Sequence, residues 1–370
     1  MKHKIKSILI GLSALAMFST APSINAYNIS EPKIIVKSDS IDLHVNFSKD
    51  GKKFVYSRMQ KKDYNQVITE TVVNENGIEK VIVKDEYMDV KPAFSPDGKK
   101  IAFFRNLGMG CGSIYIVGSD GKNLEELIPA TITRLSWSPD GKEIAFTCMG
   151  EEDKTKVLTA KEAEAIKKQE PNKNYKAGDE LKYKTLYYAI GVVNVNTKEV
   201  RTLAKSEGKA ESPEFTDDGR ILYLYNKNGG YGGQELWIMD RDGNNKKQII
   251  QLENSTTRTI NADKSVTLVF KEGTIDHFSA DGDSIAYSAG SRERILHVIP
   301  KKNNQLAYDA KELKDEYVSA LYVKNLKTGE TKLVTDEGNV WFPELKNNKV
   351  YFSRCVSLET DHDIYSIDLK

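Results

Sequence analysis

Cysteine is nearly absent from this sequence. Three in 370 residues cannot form the disulfide framework of a small secreted domain. Histidine is also scarce, with five. His44, His277, His297 and His362 are scattered, and no His-Glu-x-x-His spacing or cysteine–histidine cluster occurs, which removes the common zinc sites. Neither sign of charge is in excess, since 54 Lys and Arg face 53 Asp and Glu. The first 26 residues hold Lys2, Lys4 and Lys6 and no acid, so the remainder carries a net charge of −2. A chain so balanced lacks the basic surplus that nucleic acids or anionic membranes require. Long apolar runs are missing too. The longest, Ile8 to Phe18, falls short of the roughly 20 residues that span a bilayer. No Gly-x-Ser-x-Gly nucleophile elbow is present, and adjacent acids such as Glu125-Glu126 or Glu151-Glu152 would point apart on a strand. With 39% apolar and 29% charged residues, the composition is that of a globular protein with a polar surface.

The short apolar run has its own meaning. Lys2 to Lys6 form a positive n-region, Ile8 to Phe18 an apolar core, and Ser23-Ile24-Asn25-Ala26 a small-residue cleavage site, as in a secretory signal peptide. No cysteine stands at that site, so the lipoprotein route is closed. The expected mature chain, residues 27–370, then works outside the cytoplasm, secreted or in the periplasm or cell envelope.

Within those residues one phrase recurs. It reads Phe47-Ser-Lys-Asp50-Gly51, Phe94-Ser-Pro-Asp97-Gly98, Trp137-Ser-Pro-Asp140-Gly141, Phe215-Thr-Asp-Asp218-Gly219 and Phe278-Ser-Ala-Asp281-Gly282. Each copy runs on into a β-rich segment such as Ile101-Ala-Phe103. A degraded sixth copy reads Leu345-Lys-Asn-Asn348. An aromatic strand end, a tight turn needing φ > 0 and a second strand make a hairpin. A second phrase follows each copy, as in Ile114-Tyr-Ile-Val ahead of Gly118-Ser-Asp-Gly121, and adds a further hairpin. Two hairpins are four antiparallel strands, one propeller blade. The last copy ends after a third strand, Ile364 to Asp368, whereas an orphan strand, Pro32 to Lys37, precedes the first. The reading is an all-β chain: a six-bladed β-propeller whose ring is closed by the N-terminal strand pairing outside Ile364 to Asp368.

The Phe/Trp-Ser-Pro-Asp-Gly-Lys phrase resembles the propeller repeat of the TolB-like family, and is similar to the propellers of prolyl-oligopeptidase-type peptidases. The resemblance covers essentially the whole mature chain and implies a propeller of the cell envelope that binds protein. It does not extend to the α/β domain that precedes the propeller in TolB.

Six blades at roughly 40–45 residues each leave a surplus of chain, which the sequence places in three inserts. Residues 149–184 divide the hairpins of blade three. There Thr159-Ala-Lys-Glu162 is a capping box ahead of a helix over Ala160 to Gln169, which Pro171 stops. Residues 254–273 read as an extra hairpin turning at Asn261 to Lys264, and residues 291–316 as a polar insert with a short helix near Tyr308 to Asp315. Gly108 to Gly112 and Gly229 to Gly233 lead into strands, so they read as hairpin loops rather than phosphate cradles. Asp240-Arg-Asp-Gly243 has its glycine too early for a calcium loop. Asp361-His362-Asp363 falls in a hairpin turn. Cys111 and Cys148 could bridge neighbouring blades or serve as small apolar fillers.

Nothing here demands catalysis, and no cofactor or metal is called for. The reading is a propeller that grips a protein or peptide partner at the mouth of its central channel. A ligand- or ion-sensing propeller and a channel-site lyase or hydrolase are the alternatives. Residues three or four before each aromatic, or before Leu345, should ring that mouth: His44, Lys91, Arg134, Glu211, Thr274 and Trp341, with Asp89, Asp276 and His277 close by. Cations, an acid, imidazoles and an indole can hold a peptide through charge-assisted hydrogen bonds and stacking.

Overall fold

The computed structural model describes residues 31–369, apart from 64–65, 109–110, 132–133, 206–207, 228–234, 253, 262–265, 301–307, 337–338 and 356–361. The expected signal peptide and the turn at 261–264, save Asn261, lie outside the described residues. The fold is all-β, and its sheets are chiefly four-stranded and antiparallel.

Strand β1 (Lys33–Val36) stands ahead of the first four-stranded run, β2 (Ile41–Phe47), β3 (Lys53–Asp63), β4 (Gln66–Glu75) and β5 (Ile78–Asp85). The second sheet is β6 (Met88–Phe94), β7 (Lys100–Gly108), β8 (Cys111–Gly118) and β9 (Glu125–Thr131). The third is β10 (Ser136–Trp137), β11 (Glu143–Val157), β12 (Glu180–Asn194) and β13 (Val200–Lys205), with helix α1 (Ala160–Gln169) between β11 and β12. The fourth is β14 (Lys209–Phe215), β15 (Ile221–Asn226), β16 (Glu235–Met239) and β17 (Lys247–Gln251). The fifth runs β18 (Ser255–Ile260), β19 (Val266–Asp281), β20 (Ser284–Pro300), β21 (Tyr308–Asn325) and β22 (Thr331–Thr335). The chain ends with β23 (Asn339–Lys346), β24 (Lys349–Cys355) and β25 (His362–Asp368). β1 pairs antiparallel with β25, Lys33 opposite Ser366 and Val36 opposite Ile364. A single parallel bridge, Ile41 to His362, joins this last group to β2.

The recurring phrase explains the turns chemically. Ser48 Oγ donates to Asp50 Oδ1 at 2.7 Å and accepts from the Lys53 N–H at 3.0 Å. Ser95 with Asp97 (2.7 Å) and Ser138 with Asp140 (2.6 Å) repeat the arrangement. The serine and aspartate therefore lock a turn in which Gly51 and Gly98 take φ of 71° and 68°, a region where a Cβ would clash with the chain. In the degraded copy Asn347 and Asn348 fill the same role at φ 51° and 59°, which asparagine tolerates.

Apolar residues pack between successive sheets. Val55 and Val73 of the first run meet Phe94, Ile101 and Phe103 of the second. Ile114 and Ile116 then meet Trp137, Ile144 and Phe146. The pattern repeats through the third and fourth sheets, the fourth and fifth, and the fifth and last. A further cluster sets Val36 and Ile364 against Val45, Tyr56 and Val72. Beneath these layers Asp42 holds Arg58 at 2.9 Å, and Asp89 holds Arg105 at 2.8 Å at the matching place one sheet on.

β11 and β12 pair over their whole length, from Glu143–Asn194 to Val157–Glu180, so the 149–184 segment is a two-stranded arm extending that hairpin. Helix α1 lies at its tip with the expected capping box, the Thr159 side chain accepting from the Glu162 N–H. Residues 308–315, expected to be helical, are strand instead. β21 pairs with β20 from Pro300–Tyr308 onward, and this long-range ladder overrides the weak local preference of a Lys- and Glu-rich stretch. The 254–273 hairpin is present, with Ser255–Ile260 pairing Val266–Lys271. Cys111 and Cys148 are free thiols. No helix among the described residues is long and apolar enough to cross a membrane.

The arm's buried residues, Leu158 and Ala163, lie within residues 154–182. Replacing that segment by a short Gly-Ser turn should therefore leave the far-UV circular dichroism strand signal and the cooperative melt in place. Loss of the melt would show that the sheets depend on the arm.

Candidate binding site

The first strands of the sheets are bulged where their side chains face one another. The ladder slips between Leu43 and Asn46, Val90 and Ala93, Glu211 and Glu214, and Trp341 and Glu344. His44, Lys91, Ser212 and Phe342 sit in these bulges with φ of 61°, 57°, 54° and 52°. Such a conformation is costly for a residue with a Cβ. It persists because the flanking ladders fix both ends, and it turns the bulged residue out of the pleat. The second residue of the recurring X-Pro pairs, Pro92, Pro213 and Pro343, gives up no ladder bond at a bulge.

These residues line an open cavity of about 440 Å³. His44, Lys91, Arg134, Ser212, His277 and Phe342 form one level of it. Asn46, Ser136, Glu214 and Glu344 form the next, and Lys49, Pro96, Pro139, Asp217 and Lys346 carry the wall toward the Asp-Gly turns.

The second level ties sheet to sheet. Asn46 Oδ1 accepts the Phe94 N–H at 2.9 Å, Ser136 Oγ the Phe215 N–H at 2.8 Å, and Glu214 Oε1 the Ala280 N–H at 2.7 Å. Arg134 spans the cavity. It donates to the Phe278 carbonyl and reaches Glu344 Oε2 at 3.2 Å and Glu214 Oε2 at 2.9 Å. The last contact is an ion pair by distance, although that oxygen receives no well-directed hydrogen bond. Asn46 Nδ2 donates to Glu344 Oε1 at 3.0 Å. One guanidinium thus serves two buried carboxylates.

The electrostatics follow from this crowding. Burial raises both carboxyls against the pull of Arg134, and Glu214 raises Glu344 further, to about 7. Burial, then the charge of Arg134, brings the Lys91 ammonium down to about 8. Burial and the positive charges of Lys91 and Arg134 hold His44 and His277 well below the usual imidazole range, so both rings are neutral. Both pack against Phe342, with ring centres 4.2 and 4.1 Å away.

The family model of the TolB beta propeller domain matches residues 23–156. The match covers the part of the chain that holds the first three copies of the recurring phrase. No curated protein matches the chain. Among solved structures it is similar to TolB from Acinetobacter baumannii, with 14% identity over 86% of this chain and 64% of that one and a TM-score of 0.47. It is similar also to an oligogalacturonate lyase from Vibrio parahaemolyticus, with 13% identity over 94% and 99% and a TM-score of 0.45. At such identities neither likeness speaks to activity.

Of the residues proposed from sequence, the cavity brings together His44, Lys91, Arg134 and His277. Glu211, Asp276 and Trp341 are not among its lining residues. Glu211 pairs with Lys209 at 2.8 Å, and Asp276 accepts from Thr274 Oγ1 at 3.1 Å. Trp341 is exposed and meets Phe342 edge-on at 6.3 Å. Asp89 is committed to Arg105. Counting back from the aromatic missed Ser212 and Phe342 by one position, and did not reach Glu214 or Glu344.

Proposed function

We propose that this chain is an exported, non-catalytic, six-bladed propeller, closed by its N-terminal strand, that binds a protein or peptide segment in the central cavity. Ring closure is supported by the β1–β25 pairing and by the cluster uniting Val36 and Ile364 with Val45, Tyr56 and Val72. The observation that carries the binding reading is the convergence of His44, Lys91, Arg134, His277 and Phe342 on one open cavity. A flat aromatic ring, two neutral imidazoles and two cations suit the side chains and termini of a peptide. The chemistry favours holding over transforming, because the one arginine is engaged by two carboxylates.

The test is amine-reactive crosslinking of the mature protein to a native envelope extract, followed by mass spectrometry. Crosslinks should map to Lys49, Lys91 and Lys346. With the captured partner purified, Phe342→Ala should weaken binding by about 1–3 kcal/mol, as for an anchor residue. Trp341→Ala and Lys99→Ala, both outside the cavity, should change it little. Crosslinks confined to the 149–184 arm, or full binding by Phe342→Ala, would move the site away from the cavity.

A further inference from the structure

Beside the two histidines this cavity holds two cations, Lys91 and Arg134, and they are not in the same situation. Arg134 is engaged by Glu214, Glu344 and the Phe278 carbonyl. Lys91 has no carboxylate within ion-pair distance among the described residues. The acid whose field reaches it, Glu211, is bound to Lys209 at 2.8 Å. A half-buried ammonium without a counter-ion carries part of the cost of desolvating a charge. The groups whose charge bears on it are Arg134, Lys209 and Glu211, and it in turn acts on His44 and His277. His44 Nδ1 is itself buried with no hydrogen-bond partner. In the same cavity, therefore, one cation lacks a carboxylate partner and one buried ring nitrogen lacks a hydrogen-bond partner.

We propose that the cavity recognises a carboxylate, seated on Lys91 beside His44 and His277. This deepens the binding reading above and depends on it only for what molecule carries the carboxylate. A single compact negative charge matches the chemistry. The ammonium supplies three donors, and a neutral imidazole can add an N–H. A phosphate fits less well, because no free guanidinium fork is offered and its second charge would share the cavity with Glu214 and Glu344. The lowered proton affinity of Lys91 and the neutrality of both histidines agree with an excess of positive field that an incoming anion relieves. A peptide can bring the group on an Asp or Glu side chain or at its C-terminus.

Ligand-observed saturation-transfer NMR with sodium acetate tests the seat, with acetate as the bare group. Wild type should bind it. Lys91→Gln, checked for folding by its melt, should bind about tenfold or more weakly, and Lys99→Gln should match wild type. Binding should also fade as pH rises through about 8, where the ammonium loses its proton. The source is then read from three short peptides: acetyl-Gly-Asp-Gly-amide, acetyl-Gly-Asn-Gly-amide, and acetyl-Gly-Gly-Gly with a free C-terminus. Preference for the first over the second assigns a side-chain carboxylate, and binding of the third assigns a chain end. Equal acetate binding by wild type and Lys91→Gln, or by neither, overturns the proposal whatever the peptides do. An acetate seat that ignores all three peptides upholds the carboxylate and removes the peptide as its carrier.

Discussion

Arg134→Met should cost this protein about 3–5 kcal/mol of stability at pH 8, the scale for stripping the partner from a buried charge, and much less at pH 5. The side chain is 21% exposed and holds Glu214 and Glu344, which stand on two different strands. Methionine fills similar space but leaves two buried carboxylates facing each other. Their sign of pH dependence is set by the direction of their shifts. Both are raised above their unfolded values, Glu344 to about 7. A carboxyl of this kind contributes its stability fully below its unfolded pKa and loses it as pH rises through its folded pKa. Without the guanidinium both carboxyls rise further, since its charge is what lowers them. The variant should therefore approach wild type near pH 5 and fall away above pH 7. Adding Glu214→Gln and Glu344→Gln should recover most of the loss at pH 8. Urea denaturation at the two pH values, with the triple variant alongside, measures this. An equal loss at both would mean that the guanidinium acts through packing rather than charge.

How much of this was legible beforehand depends on which physical layer produced it. The Ser-x-Asp-Gly phrase is local chemistry, and its hairpins appear where the phrase stands. The capping box at Thr159 and Glu162 is equally local and starts its helix at Ala160. Residues 308–315 failed because their state is decided by partners on β20. The cavity lining differs from the expected ring by one residue in two strands for a related reason. Alternation along an ideal strand puts Glu211 and Trp341 toward the cavity, whereas the bulge hands that place to Ser212 and Phe342. A signal was present in the X-Pro pairs Lys91-Pro92, Ser212-Pro213 and Phe342-Pro343. Proline inside an otherwise regular first strand argues for a bulge at that point. Glu214 and Glu344 follow those prolines directly, within phrases that otherwise speak only of turn and core. That Arg134, just ahead of β10, joins them is tertiary and carries no sequence spacing.

Removing residues 27–38 should lower the melting temperature by about 3–6 °C, a shift corresponding to roughly 2–4 kcal/mol in a chain of this size. The segment contributes β1, whose residues pair with β25 at Lys33–Ser366, Ile34–Tyr365 and Val36–Ile364. Val36 is 4% exposed and closes the cluster of Ile364, Val45, Tyr56 and Val72. Burial of one valine, with Ile35 packed partly beside it, is worth about 2–3 kcal/mol. The loss has a second part that a point variant would not show. Without β1 the outer side of β25 becomes an unpaired edge, open to strands of other molecules. The truncated protein should therefore self-associate with rising concentration in analytical ultracentrifugation. A synthetic peptide of residues 31–38 should bind it and restore part of the lost melting temperature, because it supplies the same ladder from outside. Val36→Ala in the full chain separates the two contributions, since it weakens the cluster yet keeps the edge covered. An unchanged melting curve on truncation, with no uptake of the peptide, would mean that β25 needs no outer partner and that the ring does not close through the N-terminus.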